Sequence, residues 1–177
     1  MTTETDWRTQ VGRSWAQNYA LTDRSFAGLT QVLLDRAAPL VGKRVLDIGC
    51  GAGELSLALA RQNPDAQILG IDISHDLIEV AQTRAADLAN ARFIEADAGA
   101  WRDPAFAADL VVSRHGVMFF ADPVAAFANI RAGTGAGARL LPGVAVCDGA
   151  VIGAGAVVTQ DITEAGTWAG VPARRIS

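Results

Sequence analysis

Two cysteines in 177 residues are too few for a metal-ligating cluster or a disulfide framework. Cys50 and Cys147 therefore point to a reduced, cytoplasmic setting, and no metal is expected. Positive charge is also scarce. Fifteen Lys and Arg stand against nineteen Asp and Glu, a net charge of −4 with a pI of about 5.1. A partner gripped mainly through its phosphates needs a basic footprint, so nucleic acid is not an expected partner. No apolar run approaches membrane-spanning length, so no membrane partner is expected either. The opening Met1-Thr2-Thr3-Glu4-Thr5-Asp6 is polar and acidic, unlike a secretory signal. What is present is globular in character. Half the residues are apolar and 19% are charged, enough for one ordinary soluble domain.

The texture changes along the chain. Up to about residue 132, short apolar runs alternate with helical patterns, the βαβ signature of an open parallel sheet. Residues 133–177 then hold nine of the eighteen glycines. The glycine-rich stretch Gly133–Ala138 reads as a boundary, giving domains 1–138 and 139–177. Phe26, Leu29, Val32 and Leu33 predict an amphipathic helix near 24–38. Strands are predicted at Val45–Ile48, Gln67–Asp72, Arg92–Ala96 and Leu110–Ser113. Helices are predicted from Glu54 to Arg61, from Ser74 as a cap through Leu88, and from Pro123 through Ile130, with a helical turn near Pro104–Ala107.

The central motif is Asp47-Ile48-Gly49-Cys50-Gly51-Ala52-Gly53, at a strand-to-helix turn. Glycine lets a backbone turn tightly and approach a ligand, and the helix start behind it offers unpaired N–H groups. Asp72 closes the next strand, where a carboxylate can accept both ribose hydroxyls. A dinucleotide loop reads G-x-G-x-x-G, whereas this one reads G-x-G-x-G with Asp47 two residues ahead. An acidic residue at the loop entrance suits a cationic ligand better than a pyrophosphate. An NAD-type turn or a purely structural one stays open on the loop alone.

Val45 to Glu54 resembles the first motif of class I methyltransferases that use S-adenosyl-L-methionine (SAM). Gly70-Ile71-Asp72-Ile73-Ser74 looks like the second, which holds ribose, and Phe93 to Ala98 like the third, where Asp97 and Ala98 would contact adenine. Asp109 to Arg114, with Ser113 in it, is similar to the fourth strand, and Asn129-Ile130-Arg131 matches as well. The resemblance covers residues 11–132. It implies a Rossmann-like three-layer α/β sandwich with a largely parallel sheet, SAM as cofactor and a small-molecule methyl acceptor. The implied cofactor-binding residues are Asp47, Gly49, Cys50, Gly51, Gly53, Asp72, Ile73, Asp97, Ala98 and Ser113.

Methyl transfer from SAM is a displacement at an already activated carbon, so the protein chiefly positions and desolvates. His115 follows the fourth strand on the ligand side of such sheets, and is the candidate catalytic base. A loop histidine without a catalytic role is the alternative. His75 reads as a surface residue at a helix start. Trp15 and Tyr19 lie in the segment that closes over SAM in the resembling family, or pack in the core.

The tail follows a different pattern. Leu140, Val146, Ile152 and Val158 recur every six residues, with Val144, Ala150, Ala156 and Ile162 between them, as in a left-handed β-helix. Ile152–Ile162 and Ala169–Ile176 resemble the last coil of hexapeptide-repeat sugar O-acyltransferases. No histidine follows His115, so the base of those enzymes is missing. The sheet is expected to hold at least four parallel strands; one reading truncates it after the fourth and adds a short β-rich tail, as in a fusion of two families. Alternatively, Ala150–Ile152 and 156–158 form a hairpin that substitutes for lost strands. Without a fifth strand the fourth would be an exposed apolar edge, to be covered by the tail or by a second copy in a homo-oligomer. Pro142 argues against a central strand over Arg139–Val144. Three functions follow as expectations: a SAM-dependent methyltransferase, a SAM-binding but inactive protein, or an acyltransferase-like oligomer.

Overall fold

Alternation along Val45-Leu46-Asp47-Ile48 sends successive side chains to opposite faces of a strand, and both faces are buried. This is β1, Arg44–Ile48, at the middle of a five-stranded sheet. Its companions are β2 (Gln67–Asp72), β3 (Ala91–Glu95), β4 (Ala108–Val112) and β5 (Thr134–Leu140). The order is β3-β2-β1-β4-β5, and every pairing is parallel. This computed structural model describes residues 3–140, 150–152, 162–169 and 174–176. Two compact units divide the chain, Met1–Leu141 and Pro142–Ser177.

In the first unit, Val45, Ile68, Leu110 and Val112 face one core with Leu33, Leu34, Leu55 and Ile78. Those partners lie on α3 (Tyr19–Ala37), α4 (Glu54–Gln62) and α5 (His75–Arg84). Leu46, Ile48, Leu69, Ile71 and Val111 face the other core with Ile130 of α6 (Pro123–Ala132). Helices thus cover both faces, as parallel strands require. The Ser74 cap read from sequence is in place, and the helix that opens with Pro123 has a cap of its own in Asp122. Ser74 Oγ accepts the Leu77 N–H at 3.4 Å, and Asp122 Oδ1 accepts that of Ala125 at 3.0 Å behind Pro123.

Several elements depart from expectation. The chain opens with α1 (Glu4–Arg8), held by a capping box between Thr3 and Asp6, and α2 (Gln10–Gln17). Helix α3 starts at Tyr19, five residues before the predicted start. Helix α5 ends at Arg84, short of Leu88, and a short 3-10 helix covers Gly116–Phe119. The main correction concerns the sheet, which does not stop at its fourth strand. The segment read as a linker, Thr134-Gly135-Ala136-Gly137-Ala138-Arg139-Leu140, is β5, parallel to β4. Glycine and alanine have little strand preference of their own, but the open edge of β4 supplies a ladder that overrides it. The exposed fourth-strand edge is therefore not present, and β5 crosses the boundary read at residue 138.

In the second unit, β6 (Ala150–Ile152) pairs in parallel with β7 (Gly166–Ala169), which pairs antiparallel with β8 (Arg174–Arg175). Half of the hexad positions, Val144, Val146, Ala156 and Val158, and the hairpin partner at 156–158 lie outside the described residues.

Candidate functional site

The sheet changes direction of winding at β1. The chain steps from β1 outward to β2 and β3, then returns to β4 on the other side. The crevice beyond the carboxyl ends of β1 and β4 is where open α/β sheets bind ligands. A cavity of about 550 Å³ occupies that end of the first unit.

The glycine loop forms one wall. Gly49 (φ 65°) and Gly51 (φ 55°) take left-handed conformations that a side chain strains. Gly49 is also pressed by a second backbone, since a β-carbon there would sit 2.4 Å from Gly116 Cα. The loop is tied to β2. The N–H groups of Gly49 and Cys50 donate to the Ile71 carbonyl at 2.9 and 3.1 Å. The Gly51 N–H donates to Asp72 Oδ2 at 2.9 Å, and the Ser74 N–H to Asp72 Oδ1 at 2.9 Å. Each oxygen of Asp72 so keeps one further acceptor position. Burial raises the Asp72 carboxyl above its ordinary pKa, against the opposing pull of those amides.

Asp47 lies wholly inside. Its Oδ2 accepts the Ser56 hydroxyl at 2.6 Å, whereas Oδ1 has no hydrogen-bond partner. Burial pushes its pKa up to about 7, opposed by Ser56 and by the charge of Arg114. At the end of β3, Asp97 Oδ1 accepts the Gly99 N–H at 2.8 Å, and Ala98 is buried beside it. His115 follows β4 in a left-handed conformation (φ 77°), its ring 4.8 Å from that of Phe26. Burial, and then the Arg114 charge, lower its pKa.

Of the residues singled out from sequence, Asp47, Gly49, Cys50, Gly51, Asp72, Ile73, Asp97, Ala98 and His115 line the cavity. Gly53 and Ser113 do not. Gly53 is the N-cap of α4 and faces Phe93. The Ser113 hydroxyl is spent on backbone, donating to the Ile48 carbonyl at 2.7 Å and accepting the Val117 N–H at 3.3 Å. Cys50 lines the wall, but burial pushes its thiol well up, which removes it as a nucleophile at neutral pH.

Trp15 and Tyr19, named from sequence, also line the cavity, but sequence reasoning missed the other residues that close it. Arg114 pairs with Glu54, donates to Thr30 Oγ1 at 2.7 Å, and lies 5.3 Å over the Phe26 ring. This joins the β4 loop, α3 and the start of α4. Both partners of the ion pair are largely buried, so each depends on the other for its charge. Trp7 of α1 meets Trp15 and Phe119 edge-on at 5.3 and 5.0 Å. Arg84 sits 4.6 Å over Tyr19, with one guanidinium nitrogen on Asp23 and the other on the Ala52 carbonyl. Two of the chain's four tryptophans within its first fifteen residues were the available signal.

Residues 45–137 match the family model described as a methyltransferase domain. A TehB-like SAM-dependent methyltransferase from Corynebacterium glutamicum superposes with a TM-score of 0.57 at 30% identity, over 72% of this chain and 71% of that one. The chain belongs to the class I methyltransferases, whose cofactor is S-adenosyl-L-methionine. Aklanonic acid methyltransferase DauC from Streptomyces sp. (strain C5) is 33% identical over 133 residues, 71% of this chain and 60% of that protein. This methyltransferase chain spans a smaller share still of other curated relatives it matches. The [4+2]-cyclase SpnF has the same fold, with a TM-score of 0.57 at 25% identity, over 73% of this chain and 55% of that one. Membership in the fold therefore leaves the reaction to be argued from the site.

Proposed function

We propose that the chain transfers a methyl group from SAM to a small molecule, with His115 as the base that accepts the acceptor's proton. One observation carries this reading. Three carboxylates from three adjacent strand ends, Asp47, Asp72 and Asp97, converge on one cavity behind a left-handed glycine loop.

The residues present fit SAM. The buried, unpartnered Asp47 Oδ1 suits a cationic ammonium group. Asp72 has room on both oxygens for the two hydroxyls of a ribose, since its backbone partners use one acceptor position each. Asp97 and the backbone of Ala98 would meet the adenine edge. When bound, SAM supplies a methyl group on a good leaving group. The chain contributes position, dryness and a proton acceptor. Its lowered pKa keeps the His115 imidazole neutral at neutral pH, able to take a proton from a hydroxyl. The Phe26 ring and the Arg114–Glu54 pair hold that loop against α3 and α4.

Transfer of labelled methyl from SAM to a panel of small hydroxyl-bearing acceptors tests the proposal, with His115→Gln beside the native chain. The expected loss is about 100-fold in turnover, the usual scale of general-base catalysis, with little change in cofactor affinity. Full activity in His115→Gln would remove the base. Tight cofactor binding without transfer to any acceptor would instead favour a binding protein on this fold.

A further inference from the structure

The aromatic side of the cavity has a chemistry that the cofactor leaves unused. Trp7, Trp15, Phe26 and Phe119 form its surface, with the His115 ring 4.8 Å from that of Phe26. The charges there are unequal. Seven carboxylates and a single guanidinium line the cavity among the described residues. That guanidinium, Arg114, is already committed to Glu54 and Thr30. The two carboxylates on the N-terminal helices, Glu4 and Asp23, are held by Arg8 and Arg84, neither of which lines the cavity.

We infer that the acceptor is an uncharged molecule with a flat ring carrying an acidic hydroxyl, a phenol or an enol, and that the cavity rejects a carboxylate of the same shape. The inference rests on the methyltransferase reading above and extends it to the substrate class. A flat ring satisfies the edges and faces of Trp7, Trp15 and Phe119, as aromatic pairs do. An acceptor carboxylate would lose its hydration and find no uncommitted cation among the described residues of the cavity wall. A neutral hydroxyl loses less, and the neutral imidazole of His115 gives it a hydrogen-bond acceptor. A protonated amine would forfeit its hydration among these rings, where the helix carboxylates Glu4 and Asp23 are already held by arginines.

The test is calorimetric titration of the full chain, saturated with S-adenosylhomocysteine, at neutral pH. The probes are 2-naphthol, 2-naphthoate and 2-naphthylmethylamine, which share one ring system and differ in charge. The expected result is binding of 2-naphthol about tenfold or more tighter than of either charged analogue, the scale of one lost polar compensation. Phe119→Leu should weaken 2-naphthol more than it weakens S-adenosylhomocysteine, and Trp7→Phe, in the ring that packs edge-on against Phe119, should do the same. Equal or tighter binding of the carboxylate or the amine overturns the inference, as does absence of 2-naphthol binding to the loaded chain. The three titrations are repeated without S-adenosylhomocysteine. Failure of that ligand itself to bind refutes the cofactor reading, while the order of the three probes still decides the selectivity.

Discussion

Asp47 is a buried side chain that the fold satisfies only in part. One oxygen is satisfied by Ser56 and the other is buried without a partner, and burial pushes the pKa up to about 7. An unfolded aspartate titrates at about 3.9. Between those values the folded chain holds a proton that the unfolded chain has released. Asp47 therefore contributes stability that is complete below about pH 4 and is lost as the pH rises to about 7. A cationic ligand reverses the preference, because it favours the ionised form. Affinity for S-adenosylhomocysteine, through its ammonium group, should rise as the pH rises through about 7, with a proton released on binding. Asp47→Asn should flatten both profiles. Melting temperature and calorimetric titration across pH 5–8, native minus variant, isolate this group from Asp72 and His115. Superimposable profiles would contradict the role given to Asp47.

The elements legible in the sequence were those whose ends carry local signals. β1 and β2 are short apolar runs, and α4, α5 and α6 begin behind a glycine, a serine and an aspartate cap, their starts all read within a residue of their positions. The glycine loop was legible for the same reason, since its spacing, flanking strand and Asp72 are near in sequence. What was not legible depends on partners far along the chain. β5 is a strand because β4 offers an edge, and its own Gly-Ala composition argues otherwise. Arg114 meets Glu54 across sixty residues, and no spacing rule finds such a pair. The contact between the glycine loop and the 3-10 helix is of this kind too. A β-carbon at Gly116 would lie 2.4 Å from the Ile48 carbonyl oxygen and 2.6 Å from Gly49 Cα, both backbone atoms. Gly116→Ala should cost about 1–3 kcal/mol in urea unfolding, the scale of overpacking, and weaken S-adenosylhomocysteine by about tenfold. Gly28→Ala is the control. It lies in α3 with nothing near its β-carbon, so the helix should gain up to about 1 kcal/mol with cofactor affinity unchanged. Equal behaviour of the two variants would contradict the importance of the loop-to-loop contact.

At the scale of the molecule, the cavity and the whole five-stranded sheet belong to the unit Met1–Leu141. A chain ending after Leu141 should remain folded and bind S-adenosylhomocysteine as the full chain does. One ending after Gly133 loses β5, exposes the apolar edge of β4, and should aggregate in size-exclusion chromatography. Identical behaviour of the two truncations would mean that β5 is dispensable to the sheet. The account depends above all on the cavity being a working cofactor site. Calorimetric titration of the full chain with S-adenosylhomocysteine, beside Asp72→Ala, tests that most directly. The prediction is saturable binding by the native chain and a loss of about 10–100-fold in the variant, the worth of hydrogen bonds to a charged group. No binding by a folded native chain, or equal binding by both, would contradict it.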